Sequence, residues 1–259
     1  MGETRLDHEM IVPALGAPFF AEHLARYHFA SRYARGLHVL DVACGRGYGS
    51  FALATVADRV TAIDLDDDNL NFARKHYEHP RIAYKKVDVT KLGLEAEKYD
   101  TLVAFEIIEH LPPSESVPFL KALASCLKPG GVALISTPNH AVVRASGVPV
   151  PHFHVNNLTA TELKGQLQSC FASVQMLGQL KSKGPLGNLL YALDLFHLRH
   201  SKYLRRRAAP AAEPERPPME VPFYWRPEHG WGESSQFIFS PLLWRQAGLT
   251  VAVCKTGSK

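Results

Sequence analysis

The sequence predicts an α/β fold: a mostly parallel sheet covered by helices on both faces. Two observations carry that reading. Between residues 37 and 139, short β-branched runs alternate with helical patterns, and such alternation builds parallel sheets with both faces covered. The first run, V-L-D-V-A, leads straight into C-G-R-G-Y-G-S, which sets glycines at 45, 47 and 49. So bare a strand-to-helix turn suits a ligand pressed against backbone. Any Cβ there would collide with it, and the helix start offers N–H groups.

The elements follow in order. Residues 17 to 34 read as a helix, with Phe20, Leu24, Tyr27 and Phe29 at roughly helical spacing and Gly36 as its stop. Strands are expected at 37–43, 59–65, 82–89, 99–106 and 132–139, and helices near 48–56, 67–76 and 114–127. T-A-T-E at 159–162 is a capping box that opens a helix to about Cys170, and F-A-S-V-Q-M-L-G after it reads as a sixth strand. The rhythm breaks near Leu180. A Leu-rich helical stretch ending in R-R-R is followed by A-A-P-A-A-E-P-E-R-P-P, which holds neither helix nor strand. L-T-V-A-V-C-K-T reads as the last strand. The chain is therefore expected to be one domain: a helical cap at 1–35, a core at 36–179, an insertion or lid at 180–232 and a return to the sheet at 233–259.

Composition narrows the partners. Apolar residues make up 46% of the 259, ample for a core. The formal charge is +4, and residues 197–217 hold all of it, six Lys/Arg against two acids. A basic balance confined to one segment argues against a nucleic-acid partner. Cys44, Cys126, Cys170 and Cys254 form no C-x-x-C pair, so reduced thiols in a cytoplasmic protein are expected. No signal-peptide core and no transmembrane run of about 18 apolar residues are read.

The acid after the second strand limits the ligand. Asp64 follows Gly45 by 19 residues, where it can accept from both ribose hydroxyls. That fits NAD and other adenosine ligands alike. The NAD pattern wants a glycine where Ser50 stands. Asp41, just before the turn, suits a positively charged ligand and would repel a pyrophosphate.

V-L-D-V-A-C-G-R-G-Y-G-S with Asp64 resembles the first two motifs of the class I S-adenosylmethionine-dependent methyltransferases. V-D-V at 87–89, Y-D-T-L-V-A-F-E-I-I-E-H-L at 99–111 and C-L-K-P-G-G-V-A-L-I-S-T-P-N at 126–139 resemble three later motifs, in order and in spacing. The resemblance covers roughly residues 36 to 140. It implies a Rossmann-like sheet of seven strands with the last antiparallel, and S-adenosylmethionine as cofactor. It further implies a cofactor set of Asp41, Ala43, Gly45 and Gly47 at the turn, Asp64 and Leu65 after the second strand, Asp88 and Val89 after the third, and Phe105 and Glu106 after the fourth. Arg26 and Tyr27 lie in a helix that closes over the cofactor in relatives, where such residues reach the methionyl carboxylate. Ala43 stands where many members have glycine.

The acceptor's proton has to be managed, and a sugar hydroxyl needs a base or a metal for this while an amine does not. F-E-I-I-E-H places Glu106, Glu109 and His110 at a strand end facing the crevice. His110 is the leading base, since imidazole titrates near working pH; packing or helix capping is its alternative role. Glu109 and His140 complete the catalytic candidates. His152 and His154, with Glu106 or Glu109, are ligand types for a metal. A substrate-loop role is preferred for them, and no metal is expected. Asp66, Asp67 and Asp68 read as helix-start residues.

The wider pattern, E-H-L-A-R-Y-H-F-A through H-F-H-V-N-N-L-T-A-T-E-L, resembles a bacterial subgroup linked with surface glycans. It implies O-methylation of a sugar hydroxyl in a glycan, glycolipid or small molecule. Ubiquinone-biosynthesis O-methyltransferases share much of the core, so a quinone or another small metabolite is the alternative acceptor, with RNA less favoured. The insertion should shape the acceptor pocket, and Y-W-R-P-E-H-G-W at 224–231 offers aromatic faces. Residues 184–207 could also rest on an anionic membrane, although a lid or dimer contact is preferred.

Overall fold

The computed structural model describes residues 17–91, 98–182 and 237–257. Among these residues, six helices run α1 (Ala17–Ala30), α2 (Tyr48–Ala54), α3 (Asp67–His76), α4 (Ser116–Ser125), α5 (His140–Ser146) and α6 (Ala160–Gln168). Eight strands run β1 (His38–Val42), β2 (Arg59–Asp64), β3 (Ile82–Lys86), β4 (Tyr99–Phe105), β5 (Leu127–Pro138), β6 (Ser173–Lys181), β7 (Phe237–Ser240) and β8 (Leu249–Lys255).

The strands form a single sheet in the order β3-β2-β1-β4-β5-β8-β6-β7. β3, β2, β1, β4 and β5 run parallel to one another. β8 is antiparallel to both β5 and β6, as expected of the last strand. The sheet has eight strands where seven were expected. The extra one is β7, a four-residue edge strand antiparallel to β6. Strand order reverses between β1 and β4, which opens a crevice at their carboxyl ends.

Pleating sorts the core into two layers, because successive side chains point to opposite faces. Leu40, Leu102 and Ile135 pack with Phe119, Leu120 and Leu123 of α4 and Leu163 and Leu167 of α6. Their neighbours Val39, Val103 and Leu134 pack with Leu24 and Tyr27 of α1 and Phe51 and Leu53 of α2. Each such aliphatic side chain stabilises the fold by about 1.5–3 kcal/mol.

Caps set the helix starts. Asp66 accepts from the Asn69 N–H at 2.8 Å at the N-cap of α3, with Asp67 and Asp68 in the first turn. Thr159 and Glu162 cap α6 reciprocally. α5 was not expected, and β5 starts at Leu127, earlier than the expected 132. The insertion beyond Ser182, including 184–207 and 224–231, lies outside the described residues, as does the start of the cap before Ala17. No helix among the described residues is long and apolar enough to cross a membrane.

Candidate functional site

The glycine turn divides its labour. Gly45 has φ +52° and open space around the place a Cβ would take. Gly47, the N-cap of α2, has φ +85°, and a Cβ there would lie 2.6 Å from Ala73 Cβ and 2.8 Å from Tyr84 Oη. A Cβ on Gly49 would sit 2.0 Å from Tyr27 Cζ. Only Gly45 leaves bare backbone facing open space. Gly47 makes room for α3 and β3, and Gly49 for the ring of Tyr27. Ala43 (φ 54°) and Glu106 (φ 55°) are the two non-glycine residues with positive φ among those described. They follow β1 and β4, adjacent strands in the sheet, so backbone strain gathers on both lips of the crevice.

Asp41 is fully buried. Its carboxylate accepts from Ser50 Oγ at 2.6 Å and from Tyr27 Oη at 3.3 Å. Both oxygens therefore hold α2 and α1 onto β1, and Asp41 acts on a ligand through its field. Burial pushes its pKa up to about 7, with those two hydrogen bonds opposing and Asp64 adding to the rise. Asp64 accepts the Gly45 N–H at 2.8 Å on one oxygen and the Asp66 N–H at 2.9 Å on the other. Each oxygen keeps a further lone pair, so ribose hydroxyls can still donate to it. Its pKa is raised by burial against those backbone hydrogen bonds. Leu65, next in the chain, is 52% exposed, an apolar face on the rim. Val87 N–H binds the Asp64 carbonyl at 2.9 Å, which brings Asp88 beside it. Asp88 accepts from Thr90, and Val89 opens a 3-10 turn at Val89–Lys91.

α1 crosses this side of the sheet and is anchored by Gln179 of β6. Gln179 Nε2 donates to the Glu22 carbonyl at 2.8 Å, and its Oε1 accepts from Arg26 Nη1 at 3.0 Å. Arg26 is 1% exposed, yet its Nε and Nη2 have no hydrogen-bond partner. Its guanidinium lies 6.0 Å from the Phe105 ring centroid, and its charge lowers the pKa of Glu106. Tyr27 meets Phe105 edge-on at 5.3 Å. A buried guanidinium with vacant N–H groups carries a heavy desolvation cost unless an anion meets it.

The other lip carries the proton-handling groups. Glu106 accepts from Ser136 Oγ at 2.6 Å, and Glu109 accepts from Thr137 Oγ1 at 2.9 Å. Burial raises both carboxyl pKa values, with Glu106 adding to the rise at Glu109. His110 ends the 3-10 turn Ile108–His110. The Phe153 ring is stacked on it at 5.6 Å, and His154 meets it edge-on at 5.0 Å. Buried Asn156 staples the two segments: its side chain donates to the Ile108 carbonyl at 3.0 Å, and its N–H donates to the Glu109 carbonyl at 3.1 Å.

The structure brings Glu109, His110 and His154 together, with Glu106 near enough to act on Glu109 through its charge. His140 is not in this cluster. It starts α5, where its N–H binds the Leu158 carbonyl and its charge acts on Glu162, the capping residue of α6. The His152 ring packs edge-on against Phe153 and is also outside the cluster. Asn156, Gln179 and Thr137 were missed. Polar residues 28 or more positions from their partners leave no local pattern to read.

Comparison with known proteins agrees with this geometry. Residues 39–131 match a family model described as a methyltransferase domain. The chain is 32% identical over 173 residues to the "Probable S-adenosylmethionine-dependent methyltransferase" of Mycolicibacterium smegmatis, covering 66% of each chain. It is 36% identical over 107 residues to a ubiquinone biosynthesis O-methyltransferase of Coxiella burnetii, covering 40% of this chain and 45% of that one. The chain thus spans less than two thirds of the length of these relatives. Among solved structures, a DhpI–SAH complex superposes with TM-score 0.56 at 16% identity, covering 97% of this chain and 94% of the other. On fold and match, residues 39–131 are similar to a methyltransferase domain, and the chain is similar to S-adenosylmethionine-dependent methyltransferases.

Proposed function

We propose that the protein methylates a hydroxyl oxygen, on a sugar-containing glycan, glycolipid or small molecule, using S-adenosylmethionine. When bound, that cofactor supplies a methyl group activated on a sulfonium. The residues present fit it. Arg26 offers vacant, buried N–H groups to a carboxylate, and Gly45 leaves backbone open to close approach. Asp64 keeps lone pairs for ribose hydroxyls, exposed Leu65 offers a flat apolar contact, and Asp88 stands beyond it for an amino group. Asp41 puts negative charge behind the turn.

One observation carries the choice of a hydroxyl acceptor: Glu109, His110 and His154 converge at the lip opposite the cofactor groups. An amine acceptor needs no such cluster. A sugar hydroxyl, far less acidic than a phenol, needs it most. The cluster provides for loss of the acceptor proton as the C–O bond forms. A second reading is favoured by the similarity to ubiquinone O-methyltransferases: the acceptor is then a phenolic hydroxyl of a quinone precursor or another small metabolite.

Label transfer tests both. The full chain is incubated with methyl-labelled S-adenosylmethionine and fractionated bacterial extract. Label in a glycan or lipid-linked glycan pool supports the sugar reading, and label in the quinone pool supports the second. Label in RNA alone, or in no pool, overturns both.

A further inference from the structure

We infer that Glu109, His110 and His154 form a binding site for a divalent first-row transition-metal cation at the acceptor end of the crevice. One ligand-type atom from each residue lies within 4.8 Å of the other two. The donors are two imidazole nitrogens and one carboxylate oxygen, a set that suits cations from Mn2+ to Zn2+ and leaves coordination positions open.

The site is built from separated pieces. His154 lies 44 residues beyond His110, and Asn156 ties its loop to the 3-10 turn through Ile108 and Glu109. Thr137 orients the Glu109 carboxylate, and the stacked Phe153 ring fixes the plane of His110. Such outer contacts commonly hold metal ligands in place. Donors about 2.1 Å from a cation stand roughly 3–3.4 Å apart, so the three ligand atoms draw together from within 4.8 Å when a cation binds.

The chemical role, unlike the binding, rests on the proposed O-methyl transfer. An acceptor hydroxyl that takes an open position loses its proton to bulk water and keeps the lone pair that forms the C–O bond. His110 then serves as a ligand, and the base is no longer an imidazole.

The test uses the full chain stripped with EDTA and exchanged into chelator-free buffer. Mn2+ alone is titrated while the free-ion paramagnetic resonance signal is followed, with Zn2+ in parallel by calorimetry. One cation per chain is expected, with nitrogen couplings in the bound Mn2+ spectrum. His154→Ala, His154→Asn and Glu109→Gln should each weaken binding at least about tenfold, and His152→Ala should not. S-adenosylmethionine binding in EDTA verifies that each variant is folded. Absence of a stoichiometric site for either cation, or binding indifferent to His154, overturns the proposal. Methyl transfer unchanged in the stripped protein overturns the cation's chemical role and leaves the proposed function standing. Stoichiometric, His154-dependent binding without any methyl transfer upholds the site and removes the function.

Discussion

The two lips of the crevice differ in how their charged groups are satisfied. On the β1–β2 lip, both oxygens of Asp41 and both of Asp64 are held by the chain's own hydroxyls and N–H groups. That lip is preorganised, and a ligand adds to completed contacts. On the β4–β5 lip, buried Glu109 meets two imidazoles, half-buried Glu106 stands near it, both with raised pKa values, and Arg26 approaches with vacant N–H groups. That lip carries unspent electrostatic cost, which an anion at Arg26 or a cation at Glu109 would relieve. On the proposed function, the first lip holds the cofactor and the second reacts.

The largest expected effect separates the lips kinetically. Glu109→Gln should lower kcat by about 10²–10⁴-fold, with S-adenosylmethionine affinity within about threefold of wild type. Initial rates and calorimetry together decide it; equal losses in both would erase the distinction between holding and reacting.

Next, the glycines test what the bare turn is for. Gly49→Ala drives a Cβ into the ring of Tyr27 and should destabilise the fold by about 1–3 kcal/mol in urea. Gly45→Ala meets only its positive φ, costing about 1–2 kcal/mol, and its larger consequence should be weaker cofactor binding. Arg26→Leu should weaken cofactor binding by roughly 10–100-fold, about 1.5–3 kcal/mol for a charged hydrogen bond. The same change removes a buried charge whose Nε and Nη2 are vacant, so thermal stability of the ligand-free chain should hold or rise.

A smaller effect reads the field of Asp41. Its folded pKa is raised from 3.8 to about 7. Between those values the unfolded chain ionises while the folded chain keeps its proton, so the Asp41 contribution falls as pH rises and the penalty is complete above about 7. Asp41→Asn lacks this penalty. Its stability relative to wild type should therefore improve by about 2–3 kcal/mol from pH 5 to pH 8, as read from paired denaturant melts. The smallest effect belongs to His140→Ala. Its place beside Glu162 predicts turnover within about threefold of wild type.

How much was legible in the sequence follows from locality. α3 was read at its observed bounds because Asp66 and the acidic first turn announce it. Asp41, Gly45 and Asp64 were readable because a strand, a turn and the next strand end lie within a few dozen residues. β7 escaped because four residues at a sheet edge carry no periodicity of their own and are fixed by β6. α5 is only seven residues long, too short for a helical stripe. K-P-G-G at 128–131 reads as a turn, yet pairing of Leu127 with Tyr99 draws it into β5. In the site, the sequence set Glu109 and His110 at one strand end and offered His154 as a ligand type, while His140, favoured by its adjacency to β5, lies outside the cluster. What the sequence could not show is the Asn156 staple that joins the His154 loop to the 3-10 turn.

The most direct measurement is calorimetric titration of the full chain with S-adenosylmethionine in EDTA, beside Asp64→Ala. One site per chain, lost in the variant, is the predicted result. No binding up to millimolar ligand, or binding that Asp64→Ala leaves unchanged, would contradict the assignment of the β1–β2 lip and everything built on it.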